Sequence, residues 1–359
     1  MHPVVATLGA YSWRLIAIAI VGWGLLWLVT RLWVLLLAVA VAVLLSRALD
    51  LPARLLHRTV LPRALVAATV LLGFLLVLAG ILTALVPPIA NEFEDLGPTI
   101  EDAVDDVEDW LVEDSPFDVS RQDIEDFRDE AGERATDALQ SQSGAVVSGT
   151  IIVFEVITGL ILALIGTFFI LKDGERFARW IHGYLPENRK EATARMATRA
   201  WRTLGGYLRG SATLGVIEGT VIGLTVNFVG ASLAIPVAVI TFFAAFLPFV
   251  GAVVAGIIAV LVTLVTAGFA EGVIVAIVAL LVQQFDNDLL APVVFGRNLE
   301  LHPLVVLVAI TAGGTLFGLF GAFLAVPVSA VAINVLAEAR GVANEEERDA
   351  RRYSRRLRR

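Results

Sequence analysis

Residues 280–307, LLVQQFDNDLLAPVVFGRNLELHPLVVL, are apolar at both ends and polar in the middle. Gln283, Gln284, Asp286, Asn287 and Asp288 stand together, a Pro and a Gly follow, and the chain turns apolar again after His302-Pro303. Working outward, the flanks on both sides are long apolar runs. The 359 residues are 57% hydrophobic and 17% charged, with a mean hydropathy of +0.80. Several runs reach the roughly 20 apolar residues that cross a bilayer. The fold class is therefore all-α: a polytopic integral membrane protein of about eight membrane segments, two of them broken or re-entrant, with a small helical extracytoplasmic cap.

Charge orients the chain. Residues 92–137 hold 19 acidic residues and 3 Arg, while the rest of the chain is net basic. Arg47, Arg54, His57, Arg58 and Arg63 face one Asp in 46–63; residues 172–209 carry 9 basic and 4 acidic residues; the last nine residues, RRYSRRLRR, hold six Arg. By the positive-inside rule these basic stretches are cytoplasmic, and the tail lies near anionic lipid headgroups. The runs 15–29 and 32–45 read as two short spans in a hairpin, because one helix of about 30 residues would be about 45 Å long. That hairpin puts the N-terminus in the cytoplasm too. The expected divisions are spans 1–3 in 1–87, ended by Pro87-Pro88; an acidic outer loop, 88–144; span 4, 145–171; basic cytoplasmic linker helices, 172–210, with part of 189–209 lying along the inner interface; a membrane half with broken helices, 211–336; and a cytoplasmic tail, 337–359. The setting is a cell membrane. An acidic outer face also fits a halophile.

Within the second half, Gly215, Gly219 and Gly223 share one helical face and permit close helix approach. Segments 233–269 and 301–336 are too long for straight spans and are interrupted, the first at Pro248 and Gly251, the second at Gly313, Gly314, Gly318, Gly321 and Pro327. Each is a kinked span or a pair of half-helices, and paired Gly/Pro breaks of this kind point to a transporter site. Carboxylates inside spans are costly and suggest function. Glu218 lies on the glycine-lined helix, where it could exchange a proton or instead bond a neighbouring helix; Glu155, in span 4, follows the same logic. Asn227, Gln283, Gln284 and Asn287 could orient a polar solute. Asp286 and Asp288, two apart, point opposite ways on a helix and suit a gate or entry near a membrane face. His302 with Pro303 either senses pH or anchors a turn.

The sequences LPFVG (247–251), QQFDNDLLAPVVFGR (283–297), LHPLVVL (301–307) and GGTLFGLFGAFLAVPVSAV (313–331) resemble the signature of the autoinducer-2 exporter family of permeases, also called PerM-like. The resemblance covers most of the chain outside the acidic segment and the tail. It implies a secondary transporter exporting a small polar solute such as autoinducer-2 by alternating access. It also admits sodium/proton antiport, and a homo-oligomer, in some members a pentamer. One position departs from the pattern: the family's Gly-Pro is Gly251-Ala252 here. A membrane scaffold that transports nothing is the reading from another class. The chain lacks the nucleotide-binding GxxxxGK[ST], the HExxH and the GxSxG patterns, so no enzyme is expected. Four His and no Cys argue against a zinc site, and no metal, cofactor or nucleic-acid partner is expected.

Overall fold

The computed structural model describes residues 31–58, 61–109, 145–248, 250–286 and 302–357, together with residues 13, 16–24, 27, 28, 290 and 294; the side chains of residues 88–153, 155, 303 and 342–357 are outside that description. Among the described residues there is no strand. The helices are α1 (Trp33–Ala48), α2 (Asp50–Leu56), α3 (Arg63–Asp109), α4 (Ala145–Gly183), α5 (Glu187–Phe228), α6 (Ala234–Ala244), α7 (Val250–Ala267), α8 (Phe269–Phe285) and α9 (Pro303–Leu357). Helix is what these apolar runs can form in hydrocarbon, where each backbone N–H must be bonded within its own segment. Buried hydroxyls follow the same rule. Thr167, Thr241 and Thr263 donate to the carbonyls four residues back, Ala163, Val237 and Ala259, at 2.7, 2.8 and 2.8 Å.

The axis of the molecule is α5. One stripe of it is buried, running through Tyr207, Ser211, Leu214, Glu218, Ile222 and Val226. The glycine triplet does what its spacing implies. A Cβ placed on Gly215 would lie 2.5 Å from the Phe242 carbonyl oxygen, one on Gly219 2.5 Å from that of Ala238, and one on Gly223 2.6 Å from Ala238 Cβ. The backbones of α5 and α6 therefore touch, and the matched positions show them to be antiparallel. Gly230 (φ 81°) and Leu233 (φ 63°) make the turn between them. The Ala231 N–H donates to the Val226 carbonyl at 3.1 Å, as in a glycine-terminated helix end.

Segment 233–269 is a helical hairpin. At 11 residues α6 is about 16 Å long, half of a hydrocarbon core. The chain turns at 245–248 and α7 runs back, with Gly251 packed so tightly on Ala244 that a Cβ there would collide with its backbone. The second long segment also reverses. Phe317 (φ −135°, ψ 15°) and Gly318 (φ 63°, ψ −153°) leave helical geometry, and Gly313 and Gly321 meet backbone to backbone. Along a straight helix those two residues would be about 12 Å apart. Val306 and Ile310 of the first arm pack with Val326 of the second. The hairpins enter from opposite ends of the bundle and are joined by the stacked rings of Phe246 and Phe323, 6.1 Å between centroids.

Five helices among the described residues are long and apolar enough to cross a membrane, and the α1–α2 pair, bent by 52°, makes up to six. One of the five, 304–341, is the folded-back segment. The expected eight crossings treated each broken segment as one passage, which a hairpin is not. Other boundaries also move. The Leu32 N–H bonds to the Leu28 carbonyl and the Leu36 N–H to that of Leu32, both at 2.9 Å, so helical bonding runs through residue 32. Arg31 is helical, and Thr30, where the expected opening hairpin turns, lies outside the described residues. The apolar span of α3 ends at Pro87 as expected, while the helix itself continues to Asp109. Within the basic linker the non-helical turn is 184–186: α4 runs on to Gly183, and α5 carries 189–209 without interruption into its apolar half. Pro327 is fully buried inside the second arm and breaks nothing. The acidic cap beyond residue 109 lies outside the described residues.

The basic stretches collect at one end of the bundle. Arg47, whose side chain is 12% exposed, pairs with Asp50 at 2.8 Å, donates from Nε to the Trp201 carbonyl at 3.0 Å and lies 5.3 Å from the Trp201 ring centre. This ties α1 to α5. Arg195 and Arg199 reach Glu338 of α9 at 3.5 and 3.4 Å.

Candidate functional site

Glu218 projects from the buried stripe of α5, about ten residues and about 15 Å from the helix end at Phe228. It is 5% exposed. Opposite it, the last turn of α8 delivers Asp286, half-buried and close enough to Glu218 for the two carboxylates to repel. Asp286 Oδ1 is buried with no hydrogen-bond partner. No basic side chain among the described residues pairs with either group. Two ionised carboxylates this close repel, one of them buried and the other half-buried, and no counter-charge among the described residues offsets them. The arrangement calls for a proton or a cation between them.

The same stripe of α5 carries two further polar groups on the side of Glu218 toward the basic end. Tyr207, four residues before Ser211, donates its hydroxyl to the Phe246 carbonyl at 2.6 Å, at the turn between α6 and α7. Its ring packs on Val306, Ile310 and Val326 of the other hairpin. The Ser211 hydroxyl lies beside that of Tyr207, yet it is buried without a well-formed partner. Tyr207 therefore touches both hairpins, and a track of polar groups about 16 Å long runs from it through Ser211 to Glu218. Tyr207 and Ser211 were not among the candidates read from the sequence. Their signal was present: both fall on the helical face of Glu218, eleven and seven residues before it.

The other expected residues are distributed differently. Gln283 is half-buried and Gln284 exposed on the last turns of α8, next to the site, whereas Asn227 is exposed at the end of α5 and does not join it. Asn287, Asp288 and the Glu155 side chain lie outside the described residues. Asp286, expected as a gate or entry residue, is half-buried beside Glu218. His302 is exposed and anchors a turn: its Nδ1 accepts the Leu304 N–H at 3.2 Å and its carbonyl accepts that of Val305 at 2.8 Å, starting α9 at Pro303. Pro248 and Gly251 form the tip and root of one hairpin. Gly313 and Gly321 form the crossing of the other, with Gly314 beside it and Gly318 at its reversal. Among the described residues no group of three or more His, Cys, Asp or Glu could hold a metal ion.

Comparison with known proteins places this geometry in context. The sequence profile described as AI-2E family transporter matches residues 15–341. A Mycobacterium tuberculosis (strain CDC 1551 / Oshkosh) protein named for transport, MT0215, is 32% identical over 332 residues, 91% of this chain and 89% of its own length. YueF of Bacillus subtilis (strain 168), also named for transport, is 30% identical over 55% of this chain and 54% of its own. PerM of Escherichia coli (strain K12), named as a permease, is 27% identical over 47% and 48%.

Proposed function

Because the chain belongs to the AI-2E family of transporters, as a multi-pass membrane protein, we propose that it is a secondary transporter whose coupling site is the Glu218–Asp286 pair. It exports a small polar solute of the autoinducer-2 type by alternating access. The observation that carries this reading is the carboxyl pair that α5 and α8 bring together in a bundle with two helical hairpins entering from opposite ends. Hairpins of that kind open the site to one side at a time with little motion of α5, as broken helices do around a fixed site. One proton or monovalent cation sits between the carboxyls when the site is closed to water, and separation of α8 from α5 exposes the pair and releases it. Sodium/proton antiport is the second reading, favoured by the same pair, since either ion supplies its missing positive charge.

The basic stretches at 46–63 and 172–209 and the tail from 337 face the cytoplasm. The hairpin α6–α7 then enters from outside and the α9 hairpin from inside, which leaves the C-terminus cytoplasmic. Residues 88–144 lie outside, and the protein works as a homo-oligomer in the cell membrane.

The test is flux in proteoliposomes of the full chain. With an imposed pH or sodium gradient, Glu218→Gln and Asp286→Asn each reduce gradient-driven flux of solute or counter-ion at least about tenfold, the scale on which one ion contact of about 1.4 kcal/mol acts. Downhill solute flux in the same variants loses its dependence on the gradient. Wild-type gradient dependence in both variants would remove the pair from the mechanism. Dependence on pH alone, unaffected by sodium, would eliminate the antiport reading.

A further inference from the structure

A cavity of about 910 Å³ opens between the first half of α5 and the second arm of α9, at the basic end of the molecule. Arg195, Arg199, Arg202 and Arg209 line it, against a single carboxylate among the described residues, Glu338. Glu338 is already engaged by Arg195 and Arg199, and Arg199 also donates to Asn334 Oδ1 at 3.3 Å. Arg202 and Arg209 have no carboxylate partner among the described residues, and Arg209 is close enough to Arg47 to be repelled by it. On α5 they stand two turns apart, about 10 Å. Gly206, between them on that face, and Gly210, next to Arg209, have no side chains, so with the short Thr203 they leave the wall recessed where the two guanidinium groups can converge.

We propose that this recess is a binding site for a phosphate group, gripped by Arg202 and Arg209. The chemistry is specific in three respects. Guanidinium forks match phosphate oxygens in pairs, glycine lets the anion approach the helix backbone, and a ligand charge of −1 to −2 offsets the positive charge that Glu338 leaves uncompensated. The volume exceeds what a bare phosphate fills and accommodates a phosphorylated three-carbon unit. Such a unit occurs both in an anionic phospholipid headgroup and in a soluble phosphate ester. The site is separate from the carboxyl pair, since its lining face of α5 differs from the buried stripe that bears Glu218.

The experiment uses the full-length protein in phosphatidylcholine nanodiscs, titrated calorimetrically with glycerol 3-phosphate, and repeated in nanodiscs containing phosphatidylglycerol. Saturable binding is expected, weakened at least tenfold in Arg202→Gln and in Arg209→Gln. Arg176→Gln, which removes an exposed charge on α4 outside the cavity, is the control and leaves binding unchanged. If phosphatidylglycerol suppresses the glycerol 3-phosphate titration, the site takes a lipid headgroup. If it does not, the site takes a soluble ester; both results support a phosphate site. Absence of binding in folded wild type, or equal weakening by Arg176→Gln, would overturn it.

Discussion

Replacing Gly314 and Ala322 together by cysteine decides whether the last apolar segment is a hairpin. A Cβ on Gly314 lies 3.8 Å from that of Ala322, the mean separation found in disulfides, whose range is about 3.5–4.5 Å. In a continuous span the same residues, eight apart, would be about 12 Å from each other along the axis and could not bond. The chain has no cysteine of its own, so nothing competes. Gly256→Cys with Ala279→Cys, also at 3.8 Å but between α7 and α8, serves as the positive control. After mild oxidation in membranes, the protein is treated with a maleimide of high mass and run under denaturing conditions. Protection of both thiols at monomer mass is expected for 314/322, as for the control. Full labelling of 314/322 while 256/279 is protected would show that the chain does not fold back at Phe317–Gly318. The inverted hairpins, and the transport mechanism resting on them, would fall with it.

Three further outcomes follow from close contacts. Gly219→Ala sets a Cβ 2.5 Å from the Ala238 carbonyl oxygen, whereas Gly73→Ala meets nothing within 4 Å. Overpacking of about 1–3 kcal/mol outweighs the gain of about 1 kcal/mol in helix propensity, so only the first lowers the thermal midpoint in detergent; equal effects would refute backbone contact of α5 and α6. Tyr207→Phe orphans the Phe246 carbonyl at a cost of about 1–3 kcal/mol, and amide exchange at 245–250 should quicken while α3 is unchanged. Gly205→Ala would drive a methyl into the Arg47 guanidinium. Its destabilisation should shrink in an Arg47→Ala background, with a coupling of at least about 0.5 kcal/mol; strict additivity of the two changes would show that they do not touch.

Much was legible in the chain because membranes restrict the choices. Apolar length alone forces helix, since no water is present to satisfy an open backbone. The spacing of Gly215, Gly219 and Gly223 announced a backbone contact that α6 fills, and a carboxylate at Glu218 announced a site because its burial is costly. The reversals were not legible. Within uniformly apolar sequence the residues facing lipid and those facing protein have the same composition, so periodicity cannot distinguish a kinked span from two arms. Helix ends were not legible for a related reason: apolar composition ends the span of α3 at Pro87, and the helix is free to continue past that point.

Composition and spacing therefore settled that this chain crosses a bilayer as helices, which end is basic, and which carboxylates are costly to bury. Tertiary structure settled which of those carboxylates meet. Asp286 and Asp288 are equivalent on paper, and only the course of α8 across α5 brings Asp286 to Glu218, from 68 residues away in the sequence. Tyr207 gains its place between the two hairpins in the same way. Through-space approach depends on where chain reversals fall, and these are fixed by backbones meeting at Gly251, Gly313 and Gly321, contacts that no local pattern encodes.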